Sequence, residues 1–146
     1  MPSLTEWKVP PAFQPRAGDY GFDLDRALSS VVGLHSIIPS DAFSAETLGT
    51  ERAGNGVLID DGLILTIGYL ITEAEEVWLH LGDGGVVQGH ALGFDSETGF
   101  GLVQALGRPD IAPLPIGSSA ATRVGDRVVI GGAGGRTRSV ASQVVA

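Results

Sequence analysis

Apolar and polar residues alternate along much of this chain with the period of two that is typical of β-strands. Over residues 77–81 three aliphatic side chains share one face, whereas Trp78 and His80 share the other. A strand with this pattern buries one face and turns the other towards solvent. Further strands are predicted over residues 31–38, 57–59, 63–66, 86–94 and 100–106. Six strands with few helical segments between them indicate an all-β domain.

Turn and capping residues lie between these runs. Asp60-Asp61-Gly62 separates two of the strands, and a short loop that ends in Asp-Gly is a strong hairpin signal. Residues 39–53 are predicted to form a polar loop, and residues 70–74 a short helix. Another short helix is predicted over residues 23–28, where Asp23 is placed to accept hydrogen bonds from the first free amides.

Two more strands are predicted at residues 127–132 and 139–145, on either side of the glycine-rich segment 131–135. A phosphate-binding loop is a poor interpretation of this segment, because no Lys-Ser/Thr pair and no helix pattern follow it. Arg136 and Arg138 are instead predicted to lead directly into the second strand. A flexible turn is the favoured interpretation.

Several spaced motifs resemble those of trypsin-like serine proteases, most closely the HtrA family. Residues 54–71 are similar to the family's Gly-Ser-Gly-Val-Ile-Ile followed by Asp-Gly-Tyr-Ile-Leu-Thr-Asn-x-His-Val-Val. Residues 93–102 look like its Gly-x-Asp-x-x-Thr-Asp-Leu-Ala-Leu segment, and residues 115–130 resemble its segment around Val-Gly-Asp-x-Val-Val. The resemblance implies the chymotrypsin fold: a short N-terminal helix, a six-stranded first β-barrel, and the first hairpin of an incomplete second barrel.

On this basis the chain divides into four predicted segments. They are a proline-rich extended arm (1–22), the first trypsin-like barrel (23–106), a linker between barrels (107–126) and the first hairpin of the second barrel (127–146). The arm combines prolines with aromatic residues. Two interpretations of it stay open: a recognition tail, or an arm that packs back on its own domain because its rings gain by burial.

The resemblance places two positions of the catalytic triad on residues that cannot perform its chemistry. The family's histidine falls on Tyr69 and its aspartate on Gly99, and no segment matches the motif that carries the nucleophilic serine. A phenol, with a reference pKa of about 10, stays protonated near pH 7 and cannot accept the serine proton. Glycine has no side chain to orient a base. Loss of triad members typically costs on the order of 10⁴ to 10⁶ in rate, so we predict no catalytic residue in this chain.

Other candidate catalytic groups have simpler structural interpretations. His35, His80 and His90 lie in separate predicted strands, and isolated strand histidines are usually packing or surface residues. Asp95 and Glu97 suit the turn in which they lie, where acidic side chains bond nearby amides. A calcium site would need more oxygen donors at closer spacing. We therefore predict no metal site and no cofactor.

Composition excludes some partners. The 146 residues, of which 43% are hydrophobic, suffice for one packed domain. The net charge of −8 is spread along the chain, which disfavours nucleic acid as a partner because phosphate binding needs a concentrated basic patch. No apolar stretch has the length of a signal peptide or membrane span. We therefore expect no membrane association and favour a cytoplasmic location.

The last predicted strand has an outer edge with no neighbour in the sequence to pair with. An unpaired apolar edge is an association site or an aggregation hazard. We hypothesise that another polypeptide completes it: the remainder of the same protein, a partner chain, or a second copy by strand addition. The candidate interaction edge comprises Ser139, Val140, Ala141, Ser142, Gln143, Val144 and Val145.

Two classes of function follow from the resemblance. In the first, the chain is a catalytically inactive trypsin-like domain, a pseudoprotease, that binds peptides or proteins or takes part in assembly. In the second, it is the N-terminal part of a serine endopeptidase-like hydrolase, and a second chain carries the nucleophile. Tyr69 and Gly99 favour the first class, because a completing chain would restore neither of the missing groups. A purely structural role in an oligomer is a third hypothesis.

Overall fold

The first barrel begins with a short helix at its entrance. The computed structural model describes residues 7–146, so the first six residues of the predicted arm lie outside the described range. Helix α1 (Leu24–Ser29) has Asp23 as its N-cap, and a carboxylate oxygen of Asp23 accepts a hydrogen bond from the Arg26 amide at 3.2 Å. The predicted capped helix is confirmed.

Six antiparallel strands close into a barrel in the order β1-β2-β3-β6-β5-β4. The strands are β1 (Val31–Ile37), β2 (Glu51–Asp60), β3 (Leu63–Ile67), β4 (Glu76–His80), β5 (Val86–Phe94) and β6 (Phe100–Ala105). A closed barrel leaves no free edge, because each strand pairs on both sides. The predicted all-β fold with a six-stranded first barrel is confirmed.

The alternating pattern decides which side chains enter the barrel. In β1 every second residue is buried, because successive side chains of a strand point to opposite faces. Gly56 lets the aliphatic side chains meet, since a Cβ there would lie 2.5 Å from Cγ2 of Ile64. The buried interior consists of Val32, Leu34, Leu58, Ile64, Leu70, Ile71, Val77, Leu79, Val103 and Ala105.

Two local predictions in the first barrel were wrong. Residues 39–53 are not one loop, because they contain helix α2 (Ala45–Leu48) and the first residues of β2. The polar and glycine-rich start of β2 hid this strand, which is ordered by its pairing with β1. Residues 70–74 are not a helix either: a 3₁₀ turn at Gly68–Leu70 takes its place.

Strands β7 (Arg127–Ile130) and β8 (Val140–Gln143) form a separate two-stranded sheet. Both are shorter than predicted. The residues between them do not lead directly into a strand, since a 3₁₀ helix occupies Gly135–Arg138. We call residues 131–138 the glycine-rich turn. It is tied to the first barrel by the Ala133 amide, which donates to Oδ1 of Asn55 at 3.2 Å.

The described part of the arm packs back on the domain. Val9 is buried, and its amide donates to the Thr137 carbonyl of the glycine-rich turn at 2.8 Å. The Gln14 side chain in turn donates to the Val9 carbonyl at 2.7 Å. The rings of Trp7 and Phe13 stay more than half exposed, so an aliphatic side chain and backbone hydrogen bonds hold the arm, not the aromatic rings. Within residues 7–146 no helix is long and apolar enough to cross a membrane.

Candidate functional site

Tyr69 lies in the turn that directly follows β3. Its neighbours fix this turn: the side chain of Leu70 is buried in the barrel, and the Thr72 hydroxyl donates to the Gly68 carbonyl at 2.8 Å. The buried Ser36 hydroxyl of β1 donates to the Leu70 carbonyl. The Tyr69 side chain itself is 47% exposed. The fold thus presents a phenol at the surface on a backbone that several hydrogen bonds hold.

Gly99 lies in the turn between β5 and β6, next to the Tyr69 turn. Its φ of +81° is a backbone conformation that favours glycine. The Gly99 carbonyl accepts a hydrogen bond from the Gly68 amide at 2.7 Å. Tyr69 and Gly99 are 30 positions apart in sequence, yet this bond joins the turns that carry them. The structure therefore brings together the two residues that the resemblance assigns to triad positions.

The acidic residues beside Gly99 serve the turn. Oδ1 of Asp95 accepts from the Glu97 amide at 3.0 Å, and Oδ2 accepts from the Thr98 hydroxyl at 2.9 Å. These hydrogen bonds, the one from Glu97 foremost, lower the pKa of Asp95 below its ordinary value of 3.8. The predicted turn role of Asp95 is confirmed, and its two oxygens are both engaged in that role.

A buried arginine holds the backbone of the Tyr69 turn, and the sequence analysis missed it. Arg52 is only 4% exposed. Its Nη1 donates to the carbonyls of Tyr69 at 2.7 Å and Thr72 at 3.1 Å. Its Nη2 donates to the Ser44 hydroxyl at 2.8 Å and the Gly49 carbonyl at 3.3 Å. Nothing in the polar segment around Arg52 distinguishes it from a surface residue, because its burial depends on the pairing of β2 with β1.

Glu73 links the same turn to the segment between β1 and β2. Its φ of +60° is rare outside glycine. One carboxylate oxygen accepts from the Phe43 amide at 3.1 Å and the other from the Ser44 amide at 2.7 Å. Hydrogen bonds from the side chain and backbone of Ser44 are the main cause that lowers the pKa of Glu73, and the Arg52 charge contributes. Glu73 and Arg52 thus hold two surface segments together.

Several large apolar side chains are exposed near the Tyr69 turn at this end of the barrel. Ile67 of β3 pairs directly with Phe100 of β6, and both are about half exposed. Phe94 is also close to the turn, since a Cβ at Gly68 would be 3.1 Å from the Cβ of Phe94. We call Ile67, Tyr69, Phe94 and Phe100 the apolar rim. Exposed apolar clusters of this kind are typical of interaction sites.

The three histidines do not join the Tyr69 turn. His35 and His80 line a cavity on the outer wall of the barrel, and Tyr69 is not among its lining residues. His90 is exposed on β5, opposite Gln104 of β6. In the part of the chain that the structure describes, no three histidine or acidic side chains are grouped so that they could hold a metal ion.

The predicted interaction edge is only partly a strand. Four of its seven residues form β8, which pairs with β7. Ser139 precedes the strand and is buried, with its hydroxyl donating to the Gly135 carbonyl at 2.8 Å. The described part of the arm reaches Thr137 through Val9 and adds no strand to β8. The outer side of β8 therefore has no strand partner among residues 7–146.

Residues 54–146, about two thirds of the chain, match the trypsin-like peptidase domain. The chain belongs to this family. Within the family it is HtrA-like. This trypsin-like peptidase domain is 26% identical over 137 residues to the serine endoprotease DegS of Salmonella typhimurium. The alignment covers 88% of this chain and 38% of DegS. It is also 29% identical over 98 residues to the periplasmic pH-dependent serine endoprotease DegQ of Escherichia coli, and this alignment covers 65% of this chain and 22% of DegQ.

A solved structure shares the fold of this trypsin-like peptidase domain. The HtrA-type protease AlgW, solved with a tripeptide, superposes with a TM-score of 0.60 at 21% sequence identity. The match covers 71% of this chain and 31% of the AlgW chain. The chain thus spans well under half the length of DegS, DegQ and AlgW.

Proposed function

We propose that this trypsin-like peptidase domain is catalytically inactive and acts in binding peptides or proteins. The observation that carries the proposal is the hydrogen bond between Gly68 and Gly99, 2.7 Å long. It puts Tyr69 and Gly99 side by side, at the place where the family resemblance expects a histidine and the aspartate that orients it. A tyrosine and a residue without a side chain do not replace the imidazole base and the carboxylate that orients it.

The apolar rim is the proposed peptide-binding surface. It offers two phenylalanines, an isoleucine and a tyrosine in a region of the barrel whose backbone Arg52 and Glu73 hold in place. Aromatic side chains on a fixed backbone provide contact area at low entropic cost. AlgW, which has the same fold, was solved with a tripeptide, and we transfer peptide binding to this chain as a proposal. The partner is accordingly a polypeptide, with apolar side chains that contact the rim.

Peptide binding can be tested with a matched pair of variants. Fluorescence anisotropy would measure the affinity for labelled tripeptides with apolar or polar side chains. We expect apolar tripeptides to bind, and Phe100→Ser to weaken them about tenfold, as at a central interface residue. Val86→Ser is the control, because Val86 is 53% exposed, against 52% for Phe100, and lies outside the rim. Equal losses of affinity in both variants would indicate non-specific binding to exposed apolar residues and would contradict the proposal.

The absence of catalysis needs its own measurement. A fluorophosphonate probe, which labels activated serines, would be applied to the protein expressed from its complete gene. We expect no labelled serine and no cleavage of casein above background. Labelling of the unaltered protein would refute inactivity and leave the question of peptide binding to the anisotropy experiment.

The second candidate function is a hydrolase completed by a second chain, and the open side of β8 is the observation that favours it. If another polypeptide pairs there and carries a serine, the pair would react with the fluorophosphonate probe although this chain alone does not. Intact mass and light scattering on protein from the complete gene would identify such a chain. A homo-oligomer without labelling would instead favour a non-catalytic assembly.

A further inference from the structure

A cavity of about 620 Å³ lies on the outer wall of the barrel, apart from the apolar rim. Gly33 and Ala53 leave room for it, because neither has a large side chain. Leu81 and the glycine-rich turn form its sides, and Lys8 of the arm is at its rim. Its volume is in the range of small-molecule sites, roughly 300 to 1,000 Å³.

The walls of this cavity are well supported. The glycine-rich turn is held against the barrel by the bond from Ala133 to Asn55 and against the arm by the bond from Val9 to Thr137. Ala133 also approaches the cavity floor, since a Cβ at Gly33 would lie 3.8 Å from the Ala133 Cβ. The cavity therefore does not depend on a single loop, and its shape is largely preformed.

Positive charge is concentrated at this cavity in a chain whose net charge is −8. Lys8, Arg138 and the buried Arg52 line it, and the exposed acidic residue there is Glu51. The Nη atoms of Arg52 are already hydrogen-bonded to the Tyr69 turn and the segment around α2. Among residues 7–146 the ion pair found joins Arg136 to Asp25, which leaves Lys8 and Arg138 without a carboxylate partner in that range. Their N–H groups are available to an anion.

We propose that this cavity binds a small molecule with one carboxylate on an apolar body. The apolar body would pack on Gly33, Ala53 and Leu81, and the carboxylate would accept hydrogen bonds from Arg138 and Lys8. Bonds of this charge-assisted kind are stronger than neutral ones. Glu51 opposes additional negative charge, so a monoanion is favoured over a phosphate ester. The site goes beyond peptide binding at the apolar rim and shares no residue with it.

The histidines provide the test. His35 and His80 line the cavity, whereas His90 lies outside it, and the chain has three histidines in all. NMR would follow their ring resonances during titration with 1-naphthoate and, separately, with the neutral 1-naphthamide. We expect naphthoate to shift the signals of His35 and His80 and to leave the signals of His90 unchanged. We expect the affinity for the amide to be lower by a factor of at least about five. Equal shifts at all three histidines, no shift at any, or equal affinity for the amide would overturn the proposal.

Two pairs of variants locate the site. Arg138→Gln should weaken naphthoate binding about fivefold, whereas Arg127→Gln on the exposed surface of β7 should not change it. Ala53→Leu should fill the floor and abolish binding, and Ala141→Leu, the same change on an exposed strand position outside the cavity, should be neutral. A preserved amide spectrum establishes that each variant folds. If Ala53→Leu does not fold, the arginine pair still decides, and unchanged affinity in Arg138→Gln refutes the site.

Discussion

At the scale of single residues, Arg52 determines how the Tyr69 turn is held. Its guanidinium makes four hydrogen bonds to groups from two surface segments, the Tyr69 turn and the segment around α2. A buried cation needs acceptors for its donors. Three of the four acceptors here are main-chain carbonyls, and the buried Nε has no hydrogen-bond partner among residues 7–146. Arg52 therefore replaces water at backbone groups that would otherwise be left without partners at the end of the barrel.

Replacement of Arg52 should cost much of the domain's stability. We expect Arg52→Met to lower the free energy of unfolding by about 2 to 4 kcal/mol, because it removes four hydrogen bonds and leaves buried acceptors unsatisfied. Urea denaturation followed by circular dichroism would measure the change. Arg127→Met, at an exposed position of β7, should stay within about 0.5 kcal/mol of the unaltered protein. An equally small effect at Arg52 would mean that water replaces the guanidinium.

Glu73 should make the stability of the fold depend on pH. Its pKa lies below the ordinary value of 4.5, foremost because of hydrogen bonds from Ser44. The ionised carboxylate therefore stabilises the fold above that ordinary value, and this contribution is lost as the pH falls through the lowered pKa. Urea unfolding would measure the free energy of unfolding of the unaltered protein and of Glu73→Gln. We expect the unaltered protein to be the more stable at about pH 6 and this difference in stability to shrink towards about pH 3. Glu75→Gln is the control. An advantage over Glu73→Gln that does not change with pH would contradict this account.

At the scale of elements, strand β2 contributes residues to the outer cavity, to the support of the Tyr69 turn and to the core. In its first half Ala53 faces the cavity and the buried Arg52 binds the Tyr69 turn, and its second half carries Gly56 in the core. Alternation along a strand makes this possible, since neighbouring residues serve opposite faces. The strand thus connects the outer cavity to the Tyr69 turn through adjacent residues.

Gly56 provides the element-scale prediction. A Cβ there would lie 2.5 Å from Cγ2 of Ile64 and 3.4 Å from the Leu65 carbonyl. Gly56→Ala should therefore destabilise the barrel by about 1 to 3 kcal/mol through overpacking. Gly82→Ala is the matched control, because a Cβ at Gly82 meets nothing within 4 Å, and it should be neutral or slightly stabilising. Thermal unfolding of both variants would measure the change in Tm. Equal Tm values for the two variants would mean that Ile64 moves away from the new methyl group without loss of stability.

At the scale of the whole molecule, the first barrel is closed and the β7–β8 sheet is not. The six-stranded barrel pairs every strand on both sides, whereas β8 has only β7 as a partner among residues 7–146. The arm and α1 each contact the glycine-rich turn, through Val9 to Thr137 and Asp25 to Arg136. An unpaired strand edge is where another polypeptide can add a strand.

The proposed association through β8 has a direct test. The Val144 amide donates towards β7, to the Asp126 carbonyl, so by alternation the amide of Ala141 points to the open side. If strand addition at β8 causes association, Ala141→Pro should abolish the association measured by light scattering, because proline removes that donor. Ala141→Ser keeps the amide and should associate normally. Association that survives in Ala141→Pro would locate the contact elsewhere.

The architecture of this protein follows in large part from its sequence. Period-two alternation, the Asp-Gly hairpin after β2 and the capping Asp23 act over a few residues, so most of the strands, this hairpin and α1 could be predicted from the sequence, whereas the start of β2 and helix α2 could not. The resemblance to HtrA proteases covers several motifs in order, which is why the barrel and the trypsin-like family were predicted correctly. The assignment of Tyr69 and Gly99 to triad positions also comes from those motifs and stays a prediction.

Tertiary structure decided the features that depend on contacts between distant residues. The burial of Arg52, the positive φ of Glu73 and the bond from Gly68 to Gly99 arise only when segments far apart in sequence pack together. The same holds for the cavity, whose walls come from the arm, three strands and the glycine-rich turn. Local patterns carry no information on such contacts, because the side chain of Arg52 would be equally suited to solvent until the pairing of β1 with β2 encloses it.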